Sequence, residues 1–162
     1  MDARSHRLHL RLHRPRRQHD RVLVRPGRLR EGPRGLGLSA ADICRSYLDS
    51  FASGNPELVT AHVTDDFVNE HTAALGSGCE GKTEYASRVP NFLASMPGLR
   101  YEVEDVIADG DRVAAAYTLH THVNGHDVAV RGVMRFLVRG DLIARRTDYW
   151  DSLVFQRQAG LA

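Results

Sequence analysis

Asn124-Gly125 sits between two long runs in which apolar and polar side chains alternate, and no other dipeptide in the chain restricts the fold so tightly. A two-residue type I′ turn needs positive φ at both central positions, which Asn and Gly tolerate, so the pair marks a β-hairpin and sets its register. Pairing Val123 with His126 puts Val113, Ala115, Tyr117, Leu119 and Thr121 on one face with Val128, Val130, Gly132, Met134 and Phe136. The reverse face carries Thr118, His120, His122, Asp127, Arg131 and Arg135. A hairpin so divided is covered on one side and meets solvent or a partner on the other.

Asp109-Gly110 and Gly140-Asp141 punctuate the chain on either side of this hairpin, which extends it to four strands at 99–108, 112–123, 126–139 and 142–155. Upstream the apolar spacing is helical. Ser39 is an N-cap with Asp42 as the capping-box acid, and Ile43, Tyr47, Leu48 and Phe51 form the buried stripe of a first helix reaching Ser53. Gly54 ends it, Asn55 caps a short second helix with Pro56 in its first turn, and a strand follows at 67–72. A loop with Gly76, Gly78 and Gly81 leads to a third helix that buries Val89, Phe92, Leu93 and Met96 and carries Pro90 inside it. Three helices before a meander of long strands predict an α+β domain with helices packed across one face of a twisted, mainly antiparallel sheet.

Charge divides the chain at about residue 38. The first 38 residues hold 11 of the 22 basic side chains against three acids, with Pro15, Pro26 and Pro33 and no sustained periodicity. They read as a disordered basic arm, or as sequence upstream of the true start, ahead of a domain at 39–162. Leu8, Leu10 and Leu12 are separated by His and Arg, which does not make an export signal, and no apolar run is long enough for a membrane helix, so a cytoplasmic protein is expected. The arm lacks aromatic residues for stacking on bases, and nucleic-acid binding is not expected. Cys44 and Cys79 are too few for a disulfide framework and read as free thiols.

The run Arg146-Thr147-Asp148-Tyr149-Trp150-Asp151-Ser152-Leu153 near the C-terminus, with the element order, resembles the SnoaL-like polyketide cyclases and the limonene epoxide hydrolases of the nuclear transport factor 2-like superfamily. The resemblance implies a cone-shaped sheet around an apolar pocket for a small organic ligand, a homodimer, and no metal or cofactor. In the epoxide hydrolases an Arg lies between two Asp residues, and a Tyr and an Asn hold water. Asp148 matches the late Asp and Asn69 the Asn, but Phe67 stands at the Tyr, and Tyr117 and Leu119 fall where the Arg-x-Asp pair is expected. The partner acid that would protonate an epoxide is missing, so the resemblance favours a cyclase, isomerase or lyase acting on an apolar carbonyl compound. A non-catalytic ligand-binding or dimerisation module of the same fold is the alternative.

In that reading Asp148 is the general acid/base, and Asn69, Tyr117 and Arg146 bind the carbonyl or enolate oxygen. Alternation puts Asn69 and His71 on the face of Phe67, toward the pocket, and Trp150 on the face of Asp148. Each has a plainer structural account: an ion pair for Asp148, a satisfied polar pair for Asn69 and His71, and core packing for Trp150. Asp151 reads as an acid that bonds backbone or a helix terminus. His120 and His122 share a strand face but are too few to hold a metal. Which way Asp148 points depends on the Gly140-Asp141 turn. A two-residue turn pairs Arg139 with Leu142 and places Asp148 beside Val133 on the outer face. A three-residue loop pairs Val138 with Leu142 and places Asp148 opposite Gly132 on the inner face, and it is the expectation here mainly because the resemblance implies an inward late Asp.

Overall fold

A computed structural model describes residues 37–162. The proposed arm lies outside the described residues except for its last two. Ser39 caps α1 (Ala40–Ser50) as expected: its hydroxyl accepts from the Asp42 N–H at 3.1 Å, and the Asp42 carboxylate accepts from the Ser39 N–H at 3.1 Å. A 3₁₀ turn (Phe51–Ser53) ends at Gly54 with φ +67°, and Asn55 caps α2 (Pro56–Thr60). The first strand, β1 (Val63–His71), begins four residues earlier than expected, and β2 (Cys79–Glu80) is a short edge strand that the loop glycines concealed. Then come α3 (Lys82–Ser95), with Pro90 inside it, β3 (Arg100–Asp109), β4 (Arg112–Val123), β5 (His126–Arg139) and β6 (Leu142–Trp150).

The last expected strand stops short. Asp151 accepts from the N–H groups of Leu153 and Val154 and so caps a fourth helix, α4 (Ser152–Gln158), where a continuing strand was expected. One carboxylate satisfies two donors that a strand would have to pair elsewhere. Among the described residues the fold therefore has four α-helices on a curled sheet.

The six strands run in the order β2-β1-β6-β5-β4-β3. All neighbours are antiparallel except β1 and β6, so the sheet is mixed. The hairpin register holds along its whole length, from Val123 opposite His126 to Val113 opposite Phe136, with Asn124 at φ +52° and Gly125 at φ +80°. Irregular pairings in β3, β6 and β1 let the sheet curl. The main core lies between α1, α3 and the concave face, around Tyr47, Phe51, Tyr101, Met134 and Phe136. A smaller cluster joins Val128 and Val130 to Val154, Phe155 and Ala159 at α4. Cys44 and Cys79 are both free.

Neither expected β5–β6 register occurs. The turn is a two-residue one, with Arg139 opposite Leu142 and Val138 opposite Ile143, but the next pair is Leu137 with Arg145. Ala144 is the extra residue, a β-bulge that reverses the alternation beyond it. Arg146, Asp148 and Trp150 thereby face Phe136, Met134 and Gly132 on the concave side. Asp148 points inward, as expected, although its neighbour is Met134 and not Gly132.

Candidate functional site

β1 and β6 lie side by side and in parallel, with Asn69 opposite Arg146 and His71 opposite Asp148. Period-two alternation sends all four side chains to the concave face. Asp148 is 3 % exposed. Its Oδ1 accepts the Tyr117 hydroxyl at 2.6 Å, reached across β5, and its Oδ2 lies 3.7 Å from Nδ1 of His71. Burial pushes the Asp148 carboxyl up from its ordinary pKa, against the opposing pull of Arg146 and the Tyr117 hydrogen bond. The Tyr117 phenol is held well above its own range by burial and by the adjoining carboxylate.

Arg146 is the second buried charge. Its Nε donates to Oδ1 of Asn69 at 2.9 Å, Nη1 to the Tyr47 hydroxyl at 2.8 Å, and Nη2 to Nε2 of His71 at 3.0 Å. The Tyr47 and Tyr85 hydroxyls meet at 2.6 Å, which ties α1 and α3 to the same network. No carboxylate lies within ion-pairing distance of Arg146 among the described residues. Desolvation first, and then the Arg146 charge, bring the His71 pKa down to about 3.

Two hollows that share His71, Tyr101 and Trp150 in their walls open beside this chain. The larger, about 320 Å³, is walled by Phe51, Leu75, Phe92, Met96, Tyr101 and Phe155, with Asn69, His71, Arg146 and Arg88 at its polar edges. A recess of about 50 Å³ continues inward between Tyr101, Tyr117 and Trp150 to Asp148. Among the described residues lining either hollow, Asp148 is the single carboxylate. A wider groove of about 730 Å³ lies on the opposite sheet face, lined by Ile107, Arg135, Thr147 and Tyr149, and takes in none of these inward groups.

Of the residues expected at the site, Asn69, His71, Tyr117, Arg146, Asp148 and Trp150 line the hollows. Phe67 does not. It is fully buried behind Tyr85, ring centroids 4.9 Å apart, and its place in the lining goes to that tyrosine. The Asn69 carbonyl already accepts from Arg146, which fixes the side chain and leaves one lone pair of the oxygen for a ligand. Tyr47 was legible only as an apolar position of the first helix, and Tyr85 and Tyr101 were not singled out at all. A tyrosine in a buried stripe has to find a partner for its hydroxyl, which is the one sequence signal that could have marked Tyr47. His120 and His122, on the outer face, pair with Glu102 at 2.9 Å and Asp127 at 3.0 Å.

The model of the SnoaL-like domain matches residues 44–146. The chain belongs to the SnoaL-like family. A search of curated proteins by sequence finds no significant match. Among solved structures, a Catenulispora acidiphila protein with a ketosteroid isomerase-like fold, in complex with trimethylamine, has a TM-score of 0.69 at 19% identity, covering 75% of this chain and 94% of its own. A candidate polyketide cyclase from Pseudomonas putida has a TM-score of 0.63 at 22% identity, over 75% and 98%. An LEH-like epoxide hydrolase of M. tuberculosis has a TM-score of 0.64 at 21% identity, over 74% and 88%. At these identities the structures establish that this SnoaL-like chain shares the nuclear transport factor 2-like fold. Among the described residues no helix is long and apolar enough to cross a membrane.

Proposed function

We propose that this SnoaL-like protein is a small-molecule enzyme of the cyclase, isomerase or lyase kind, in which Asp148 removes a proton next to the carbonyl of an apolar substrate. The observation that carries the reading is one desolvated carboxylate at the inner end of an apolar hollow, with its pKa raised toward the working range of a proton exchanger. The C–H bond breaks, its electron pair moves to the carbonyl oxygen, and the proton goes to Asp148. The Tyr101 hydroxyl, on the wall of both hollows and without a hydrogen-bond partner among the described residues, is the group best suited to donate to the developing oxyanion. Arg146 supplies positive charge in the same low-dielectric wall. Epoxide hydrolysis by paired carboxylates is disfavoured, since the hollows offer one acid and not two. We further propose a homodimer formed through the outer sheet face, where Val133 and Tyr149 are each 40% exposed.

The recess at Asp148 admits little more than a carbonyl group, which keeps a second reading in play: a pocket that binds without reacting. One experiment separates them. Small apolar ketones and 1,3-diketones are incubated with the protein in D₂O, and loss of the α-proton signal is followed by NMR. Exchange in the native protein that falls roughly a hundredfold or more in Asp148→Asn, with the circular dichroism unchanged, supports catalysis. Binding without exchange supports the pocket module, and equal exchange in both proteins removes Asp148 from the chemistry.

A further inference from the structure

A guanidinium only donates hydrogen bonds, so the His71 nitrogen that Arg146 meets at 3.0 Å has to present a lone pair. Arg146 is not free to turn away, being held by Asn69 on one side and by the Tyr47–Tyr85 pair on the other. Nε2 is therefore bare, and the neutral ring carries its one proton on Nδ1. Nδ1 lies 3.7 Å from Oδ2 of Asp148, beyond hydrogen-bond length but close enough for the N–H dipole to favour the carboxylate. The indole nitrogen of Trp150 also lies 3.4 Å from Nδ1, and it too can only donate. The contact is longer than a good N–H hydrogen bond of about 3.2 Å or less, whereas the Arg146 bond is shorter and charge-assisted, so Arg146 decides the tautomer.

We propose that His71 is a positioning residue and not the base of this site: Arg146 locks it as the Nδ1–H tautomer, whose N–H dipole acts on Oδ2 of Asp148 from 3.7 Å, beyond hydrogen-bond length, while the Tyr117 hydroxyl bonds Oδ1. The proposal rests on Asp148 being the proton acceptor. During transfer the proton passes from the substrate carbon to Asp148 and back, and His71 keeps its own proton throughout. The charged and titratable groups on the surrounding walls are Arg146 and Asp148 of β6, Tyr101 of β3, Tyr117 of β4, and Tyr85 and Arg88 of α3. A protonated His71 would set a second cation against Arg146 in a desolvated wall, and the lowered His71 pKa agrees with that exclusion.

Nitrogen-15 NMR of the imidazoles in the full chain tests this directly, with the His71 signals assigned by their loss in His71→Leu. The expected result is a single Nδ1-protonated tautomer that does not titrate from pH 8 to about 4. The same tautomer should persist in Asp148→Asn, because the lock lies on the Arg146 side, and should mix with the other in Arg146→Lys. An Nε2-protonated ring, or titration between pH 5 and 7, overturns the proposal. In the α-proton exchange assay His71→Leu should lose roughly tenfold or more, with His71→Asn, whose amide can stand in for Nδ1–H, losing less. Equal loss in both would make His71 a base. Absence of exchange in the native protein would sink the enzymatic reading alone, since the NMR result judges the tautomer independently.

Discussion

Gly132 has no side chain because Tyr117 occupies the place of one. A Cβ built there would meet the Tyr117 hydroxyl, with the ring carbon Cζ at 2.6 Å and the Tyr149 carbonyl oxygen at 2.8 Å. The phenol lies across β5 at this gap to reach Asp148. Gly132→Ala is therefore expected to cost about 1–3 kcal/mol by overpacking. Because the closest contact is the hydroxyl itself, Tyr117→Phe should recover part of the loss, a coupling above about 0.5 kcal/mol in a urea double-mutant cycle. Additive losses would mean that the backbone contact alone forbids the side chain. His71 gives the second residue-scale expectation. Its folded pKa, about 3, is depressed below the ordinary value of 6.5, so the unfolded chain binds a proton in that window and the folded one does not. Stability from this group is complete above about pH 6.5 and falls as the pH drops toward 3, by about 2 kcal/mol between pH 7 and 5. The raised carboxyl of Asp148 acts with the opposite sign, favouring the folded state at low pH and losing that contribution as the pH rises through its own titration. Urea midpoints at pH 7 and pH 5 should show the His71 loss in the native protein and a flatter dependence in His71→Leu. At this scale the sequence spoke clearly of Asp148 and Arg146 but not of Tyr85 or Tyr101, whose value comes from what stands opposite them across the cavity.

Elements with a local chemical signal were legible to within a residue or two. Ser39 with Asp42, Gly54, Asn55-Pro56 and Asn124-Gly125 each carry their own geometry, and the structure follows them. The misses have a common cause. Leu153, Val154 and Phe155 read as strand because they are apolar and bulky, yet the capping carboxylate of Asp151 outweighs that preference over a short segment. The Ala144 bulge leaves no mark in composition, so the inward direction of Asp148 could be expected only from the family resemblance, and through a loop that does not form. α4 places Phe155 on both hollows, edge-on to Trp150 with centroids 6.0 Å apart. Asp151→Ala should lower stability by about 1 kcal/mol through loss of the cap. Amide exchange should then accelerate in 152–158 while β4 and β5 keep their protection, and uniform acceleration would show that α4 does not open on its own.

For the whole molecule, the outer sheet face and the N-terminal segment raise the same question of what the domain needs. Val133, Tyr149 and Ile107, the last 68% exposed, share that face with the Arg135–Tyr149 stack at 5.7 Å. Sedimentation at micromolar concentration is expected to give a dimer both for the full chain and for a chain starting at residue 38, with melting temperatures within about 5 °C, equivalent to roughly 1 kcal/mol. A monomer in both would leave the outer face simply solvated. A dimer in the longer chain alone would make the basic segment part of the contact.

The parallel pairing of β1 with β6 has a consequence for how the protein is made. Arg146 meets Asn69 across 77 positions of sequence, and His71 faces Asp148 across the same two strands. A growing chain that has emerged as far as Arg139 already contains α1, α3, the β4–β5 hairpin and most of the buried core, yet Arg146 and Asp148 have still to be synthesised. Until β6 arrives, β1 has no neighbour except the two residues of β2, and the Asn69 and His71 side chains stand without the cation that orders them. Translation thus delivers the chemistry after the scaffold, and a product cut short before β6 carries most of the fold and none of the acid.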